Sequence, residues 1–262
     1  MRRFAIALAA VLGAGTLAAG SALAITYMAS DEPDPFAPGA KCRVGHLGSW
    51  GSYVYQYPSR FDMVFHPFVD DAMIWRCPTS GYVSHAADFD KVTPESRERV
   101  AAWLKANPAD VEKLDPKALR DRLEAIYRER GMDDAFWAFF YRMRAYWAET
   151  AAEGDVYRAK ALPLLRAKLE RTDLSPPARL ETLYLVGYYT RRGGDPAGGR
   201  RYFTQMEDVD WAGVNVQEAG SKADNLKYFA TMIAAIEAGK LDAPCGQTGH
   251  DTPGCTLGGE AG

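Results

Sequence analysis

No surplus of positive charge marks this chain. Its 31 Lys and Arg stand against 34 Asp and Glu, a formal charge of −3 over 262 residues. Non-specific nucleic-acid binding needs a dense basic surface, so that class of partner is set aside. Catalytic signatures are missing too. There is no G-x-S-x-G, no H-E-x-x-H, no P-loop and no Rossmann glycine pattern. Gly48-Ser49-Trp50-Gly51-Ser52 is rich in glycine but has no lysine to hold a phosphate. Asp70-Asp71 pairs two carboxylates, but neighbours on a strand point to opposite faces. Histidine and cysteine are scarce, with four of each. Disorder is excluded by the 47% hydrophobic and 12% aromatic content.

What is present begins with an export pattern. Met1-Arg2-Arg3 is basic, Phe4 to Leu23 is almost wholly apolar, and Ser21-Ala22-Leu23-Ala24 offers an A-x-A cleavage site. This reads as a signal peptide over 1–24, with a mature chain starting at Ile25 in the periplasm or outside the cell. The alternative is a retained N-terminal membrane anchor, because the uncharged run to Met28 is long enough to span a bilayer. Residues 25–41, with Asp31, Glu32, Pro33, Asp34, Pro35 and Pro38, read as a linker. Residues 243–262, glycine-rich and poor in apolar side chains, read as a flexible tail.

The body divides by periodicity. Residues 42–92 read as a small β-containing module. Tyr53, Tyr55 and Tyr57 alternate along one strand, and Met73-Ile74-Trp75 suggests a second. From 93 to 242 the pattern is helical. Start signals stand at Thr93-Pro94-Glu95, Asp115-Pro116, Asp133 or Asp134, Asp155, Ser175-Pro176-Pro177, Asp195-Pro196 and Lys222. The stripe Leu119, Leu123, Ile126 and the aromatic face from Phe136 to Trp147 are core-facing patterns. Leu183, Gly187, Gly194, Gly199 and Phe203 have the spacing of a tetratricopeptide hairpin, in which small residues let two helices approach closely. The expected fold is mainly α: a small β-containing N-terminal module followed by an antiparallel, tetratricopeptide-like helical array.

Cys42, Cys77, Cys245 and Cys255 all follow the apolar start, and an even number in an exported chain suggests disulfides. Their placement favours Cys42–Cys77 and Cys245–Cys255. Cys77-Pro78-Thr79-Ser80-Gly81-Tyr82 is one substitution from C-P-x-C-G-Y, and Cys42-Arg43-Val44-Gly45 looks like C-x-x-C-G short of a cysteine. With Asp88-Phe89 further on, Asp62 to Leu104 resembles a family of uncharacterised bacterial proteins that carry two C-x-x-C zinc knuckles followed by tetratricopeptide-like helices. That resemblance implies a zinc-binding module whose two knuckles meet at the metal. Here one cysteine remains from each, so the resemblance brings Cys42 and Cys77 close enough to bond in an oxidising compartment, with no cofactor. A zinc alternative uses Cys42, His46, Cys77 and His85.

No catalytic residue is assigned. The expected function is a protein-interaction scaffold of the cell envelope whose partner is another envelope protein, because stacked helical hairpins create extended concave surfaces. The alternative is an envelope polysaccharide binder or hydrolase using the aromatic face of residues 50–75, where Trp50, Trp75 and the tyrosines could stack on sugar rings.

Overall fold

Two β-hairpins and a succession of helices make up residues 26–49, 61–65, 67–68 and 71–239, the part of the chain that the computed structural model describes. β1 (Thr26–Pro33) pairs antiparallel with β2 (Lys41–Ser49), placing Glu32 opposite Cys42 and Met28 opposite His46. β3 (Ile74–Cys77) pairs antiparallel with β4 (Tyr82–His85), placing Cys77 opposite Tyr82 and Ile74 opposite His85. The hairpins form two separate sheets.

β1 occupies most of the stretch expected as a linker, and strand structure therefore begins earlier than residue 42. Its acids and its proline are tolerated because it has a neighbour on one edge only. Pro33 is its last residue, where a missing N–H need not break a central ladder. Asp31 meets Lys41 at 3.7 Å, so cross-strand charge pairing suits the register. The turn is closed by Asp34, whose Oδ1 accepts from the N–H groups of Phe36 at 2.8 Å and Ala37 at 3.2 Å. The strand expected around Met73–Trp75 is β3, shifted by a residue and preceded by a single 3-10 turn at Asp71–Met73. Tyr53, Tyr55 and Tyr57 lie outside the described residues.

The helices start where their caps predict. Thr93, Asp115 and Asp133 each accept a backbone N–H at the heads of α1 (Pro94–Ala106), α2 (Pro116–Arg130) and α3 (Asp134–Tyr146). Such a cap contributes about 1 kcal/mol. α4 (Ala151–Leu169) starts four residues before the Asp155 expected for it. The reason is a reciprocal cap: Thr150 Oγ1 accepts from Glu153 N–H at 3.1 Å, and the Glu153 carboxylate accepts from Glu149 N–H at 3.1 Å. α4 runs through Pro163. α5 (Pro176–Arg192) follows Ser175 without a side-chain cap bond and starts on two prolines, whose fixed φ suits the first turn and whose missing N–H groups need no partner there. Then come α6 (Pro196–Gln205), a one-turn α7 (Val216–Ala219) that carries no sequence signal we read, and α8 (Lys222–Glu237). α1 packs on α2, and α3, α4, α5 and α6 pack successively on one another.

The apolar core does not divide at residue 92. One cluster joins Cys42, Val44, Ile74 and Tyr82 of the hairpins to Leu119, Leu123 and Ile126 of α2 and Phe140 of α3. A second joins Phe61 to Ala161, Leu180, Tyr184, Phe203 and Phe229, on α4, α5, α6 and α8. The hairpins thus share one core with α1–α3. Arginines from α2 complete that union. Arg122 donates to the Gly81 carbonyl at 2.7 Å, and Arg130 to Ser84 Oγ at 3.1 Å and the Lys91 carbonyl at 2.9 Å.

Candidate functional site

Cys42 and Cys77 are bonded, with an S–S distance of 2.00 Å and Cα atoms 4.4 Å apart. Both are 0% exposed. The pairing register explains the meeting: each cysteine lies at the loop end of its strand, beside the turn that connects its hairpin. The β3–β4 turn closes through Gly81, whose positive φ of 71° suits glycine and whose N–H donates to the Cys77 carbonyl at 2.8 Å. Across from it, buried Asp34 extends Oδ2 to the Ser80 N–H at 3.3 Å. Trp75 Nε1–H donates to the Gly45 carbonyl at 3.1 Å, a second tie between the sheets.

The four-residue zinc set does not converge. The sulfurs are consumed by their bond. Cys42 and His46 are four residues apart on an extended strand, about 13 Å, which is too far for one metal. His46 Nε2 instead meets Glu32 Oε1 at 3.1 Å, and its ring stands edge-on to Trp75 at 4.8 Å. His85 is three cross-strand pairs from Cys77. Its Nδ1 accepts from Ala87 N–H at 3.3 Å, and its ring stacks on Phe68 at 4.4 Å. The side chain that does join the two sulfurs is Asp34. The ligating atoms of Asp34, Cys42 and Cys77 all lie within 4.8 Å of one another. Cys245 and Cys255 fall outside the described residues.

A second constellation forms where the chain between the hairpins meets the helices. Tyr184 OH donates to the Phe61 carbonyl at 3.1 Å. Arg142 donates through Nε to the Asp62 carbonyl at 2.8 Å, through Nη2 to the Met63 carbonyl, and also to Glu181 at 2.9 Å. The Asp62 carboxylate, 4% exposed, receives both Nε and Nη2 of Arg158 at 2.9 and 2.8 Å and Tyr189 OH at 2.8 Å. This is a two-pronged guanidinium–carboxylate pair with a phenol as third donor. Met63 adopts φ 51°, the one non-glycine residue with a positive φ among the described residues. That conformation costs about 1–2 kcal/mol and is offset by the bonds on either side. Despite burial, the Asp62 carboxylate drives the Arg158 pKa well above its ordinary range. Burial, then the neighbouring Asp62 charge, drives Tyr189 well above 10.

Neither Asp34 nor the grip on Asp62 is visible as a motif. Asp34 sits among prolines and acids, and Arg158 belongs to no motif. The usable signal was a recurrence of arginine at positions that the apolar stripe assigns to the interior of α2 and α3: Arg120, Arg142 and Arg144 are all buried. Asp71, the described member of the Asp70-Asp71 pair, receives Arg120 Nη2 at 2.9 Å and serves as a structural anion. Trp75 is 8% exposed and packs edge-on to Phe89, so it offers no open face to a sugar. No protein-family model matches the chain, and no curated protein or solved structure does either.

Proposed function

We propose that this protein is an exported interaction scaffold of the cell envelope, whose helical array grips short acidic turns of polypeptide. The observation that carries the reading is the hold on Phe61–Met63. Side chains of α3, α4 and α5 bind three consecutive backbone carbonyls and one carboxylate. That is recognition of a short acidic turn, through its backbone carbonyls and its carboxylate, by a helical surface, with the chain's own segment as the occupant. The basic and apolar start, followed by a disulfide further on, supports an oxidising compartment. Among the described residues no helix is long and apolar enough to cross a membrane. The close approach of α5 and α6 at Gly187 and Gly199 supports a tetratricopeptide-like hairpin, and the bonded cysteines support a knuckle-derived module that has exchanged metal for a disulfide.

The test uses a synthetic peptide of residues 58–66 and the Asp62→Ala protein, whose own segment has lost its carboxylate. The peptide is expected to bind and to raise the melting temperature of that variant. The same peptide with alanine in place of Asp62 is expected to bind about tenfold more weakly or worse. Equal binding by the two peptides, with the helices intact, would remove the basis of the reading. Cross-linking in envelope extracts then asks whether an acidic segment of another protein takes the same place.

A further inference from the structure

At the hairpin junction, two soft sulfur ligands and one hard carboxylate share a buried pocket. Asp34 is 6% exposed, and both cysteines are fully enclosed. Asp34 Oδ1 already accepts two N–H groups, from Phe36 and Ala37. Oδ2 accepts only the Ser80 N–H, at 3.3 Å, which leaves it acceptor capacity toward the sulfurs. The pocket's walls do not depend on the S–S bond alone. The Asp34 turn, the Asp34–Ser80 bond and the Trp75–Gly45 bond hold the two hairpins together through other atoms.

In the oxidised chain no thiolate exists to hold a cation. A thiol reductant supplies two electrons and two protons to the S–S bond and leaves two thiols, becoming a disulfide itself. We infer that the reduced protein binds Zn²⁺ through Cys42 Sγ, Cys77 Sγ and an Asp34 carboxylate oxygen. Both thiol protons pass to solvent as the metal enters, and a water completes the tetrahedron. Zn–S bonds of about 2.3 Å place two sulfurs roughly 3.8 Å apart in a tetrahedral site, a separation that side-chain rotation can reach from Cα atoms 4.4 Å apart. Disulfide and metal are then alternative closures of one junction. This inference is independent of the scaffold reading, since it concerns the hairpins and not the helical face.

The full chain, reduced with a phosphine and titrated with Co²⁺ alone, tests it. The expected result is one equivalent of Co²⁺ bound, with thiolate charge-transfer and tetrahedral d–d absorption that vanish on reoxidation. Asp34→Asn keeps an acceptor for the turn but loses the anionic ligand, and should weaken binding about tenfold or more. His46→Gln should leave the spectrum and affinity unchanged. Absence of the bands in reduced, folded protein would overturn the site. So would an unchanged affinity in Asp34→Asn, or loss of binding in His46→Gln. Should Asp34→Asn fail to fold, Asp34→Ser, which retains an acceptor for the Phe36 and Ala37 N–H groups, makes the same comparison.

Discussion

Gly187 and Gly199 face each other where α5 crosses α6. A methyl group on Gly199 would lie 2.6 Å from the Gly187 carbonyl oxygen, and one on Gly187 would lie 2.5 Å from the Phe203 ring. The obstacle at Gly199 is backbone, which cannot rotate aside. Gly199→Ala is therefore expected to cost about 1–3 kcal/mol through forced separation of the helices. Urea denaturation followed by circular dichroism measures it. A variant as stable as the parent would mean that the crossing is looser than described.

Replacing Cys42 and Cys77 together by alanine reopens a span of 35 residues. The loop-entropy relation puts the loss at about 4 kcal/mol. Because the hairpins share a core with α1–α3, the loosening should extend into α2. Hydrogen exchange should quicken in β1–β4 and α2 and stay slow in α5, whose core is the other cluster. Loss confined to the strands would contradict the shared core.

Asp62→Ala strands the Arg158 guanidinium in the interior. Breaking a buried pair by removing one partner costs about 3–5 kcal/mol. Converting Asp62 and Arg158 together to alanine and methionine should recover part of that loss, because that pair leaves no unpaired charge. A double-mutant cycle on denaturation midpoints reports the coupling, and additive effects would argue that the pair does not interact.

Acid should weaken the α4–α5 contact. Burial tends to raise the Asp155 pKa, but hydrogen bonds and charge from Arg192 and Arg158 outweigh it and hold it below the ordinary value. A depressed carboxylate contributes stability that is present above its unfolded pKa near 4 and is lost as pH falls through the folded value. Stability measured against pH for the parent and Asp155→Asn should converge as pH falls below about 4. A constant difference down to low pH would be the wrong sign.

Alkali should act through the opposite case. Burial pushes the Tyr188 pKa up to about 12. The neutral phenol is favoured in the fold, so its contribution is complete below the ordinary pKa of about 10 and is lost as pH rises from there toward 12. Phenolate absorbance during alkaline titration should show a delayed step that shrinks by one tyrosine in Tyr188→Phe, because burial pushes Tyr157 up to about 12 as well. If the absorbance lost in Tyr188→Phe came from the early part of the titration and not from the delayed step, the burial would be contradicted.

Much of the architecture was legible because it rests on local chemistry. Thr93, Asp115 and Asp133 cap helices by bonds to residues three positions away, and Leu119, Leu123 and Ile126 bury one stripe by helical period. The Gly187–Gly199 approach was legible for the same reason, as small residues at a recognisable spacing. β1 was not, because its stability comes from pairing with β2 and local composition argues against a strand. The zinc set with His46 and His85 does not form because Cys42 and His46 are separated by the rise of one extended strand and His85 lies three cross-strand pairs from Cys77, and spacing in sequence carries neither distance. The hold on Asp62 was not legible, because its donors are distant in the chain: an arginine on the interior face of a helix signals burial but does not name the partner it will meet.

The distance along the chain has a temporal side. Asp62 takes donors 96 and 127 residues downstream, on Arg158 and Tyr189. A ribosome adding ~5–20 residues per second delivers the second donor roughly 6–25 s after the carboxylate. Neither Arg158 nor Tyr189 exists when Asp62 is made, whereas the residues that cap α1 and α2 lie three positions from their partners. The N-terminal hairpins can close early, but the segment that leaves them stays untethered until the far half of the polypeptide has emerged. Closure of the Asp62 ion pair thus requires both halves of the chain to be present together.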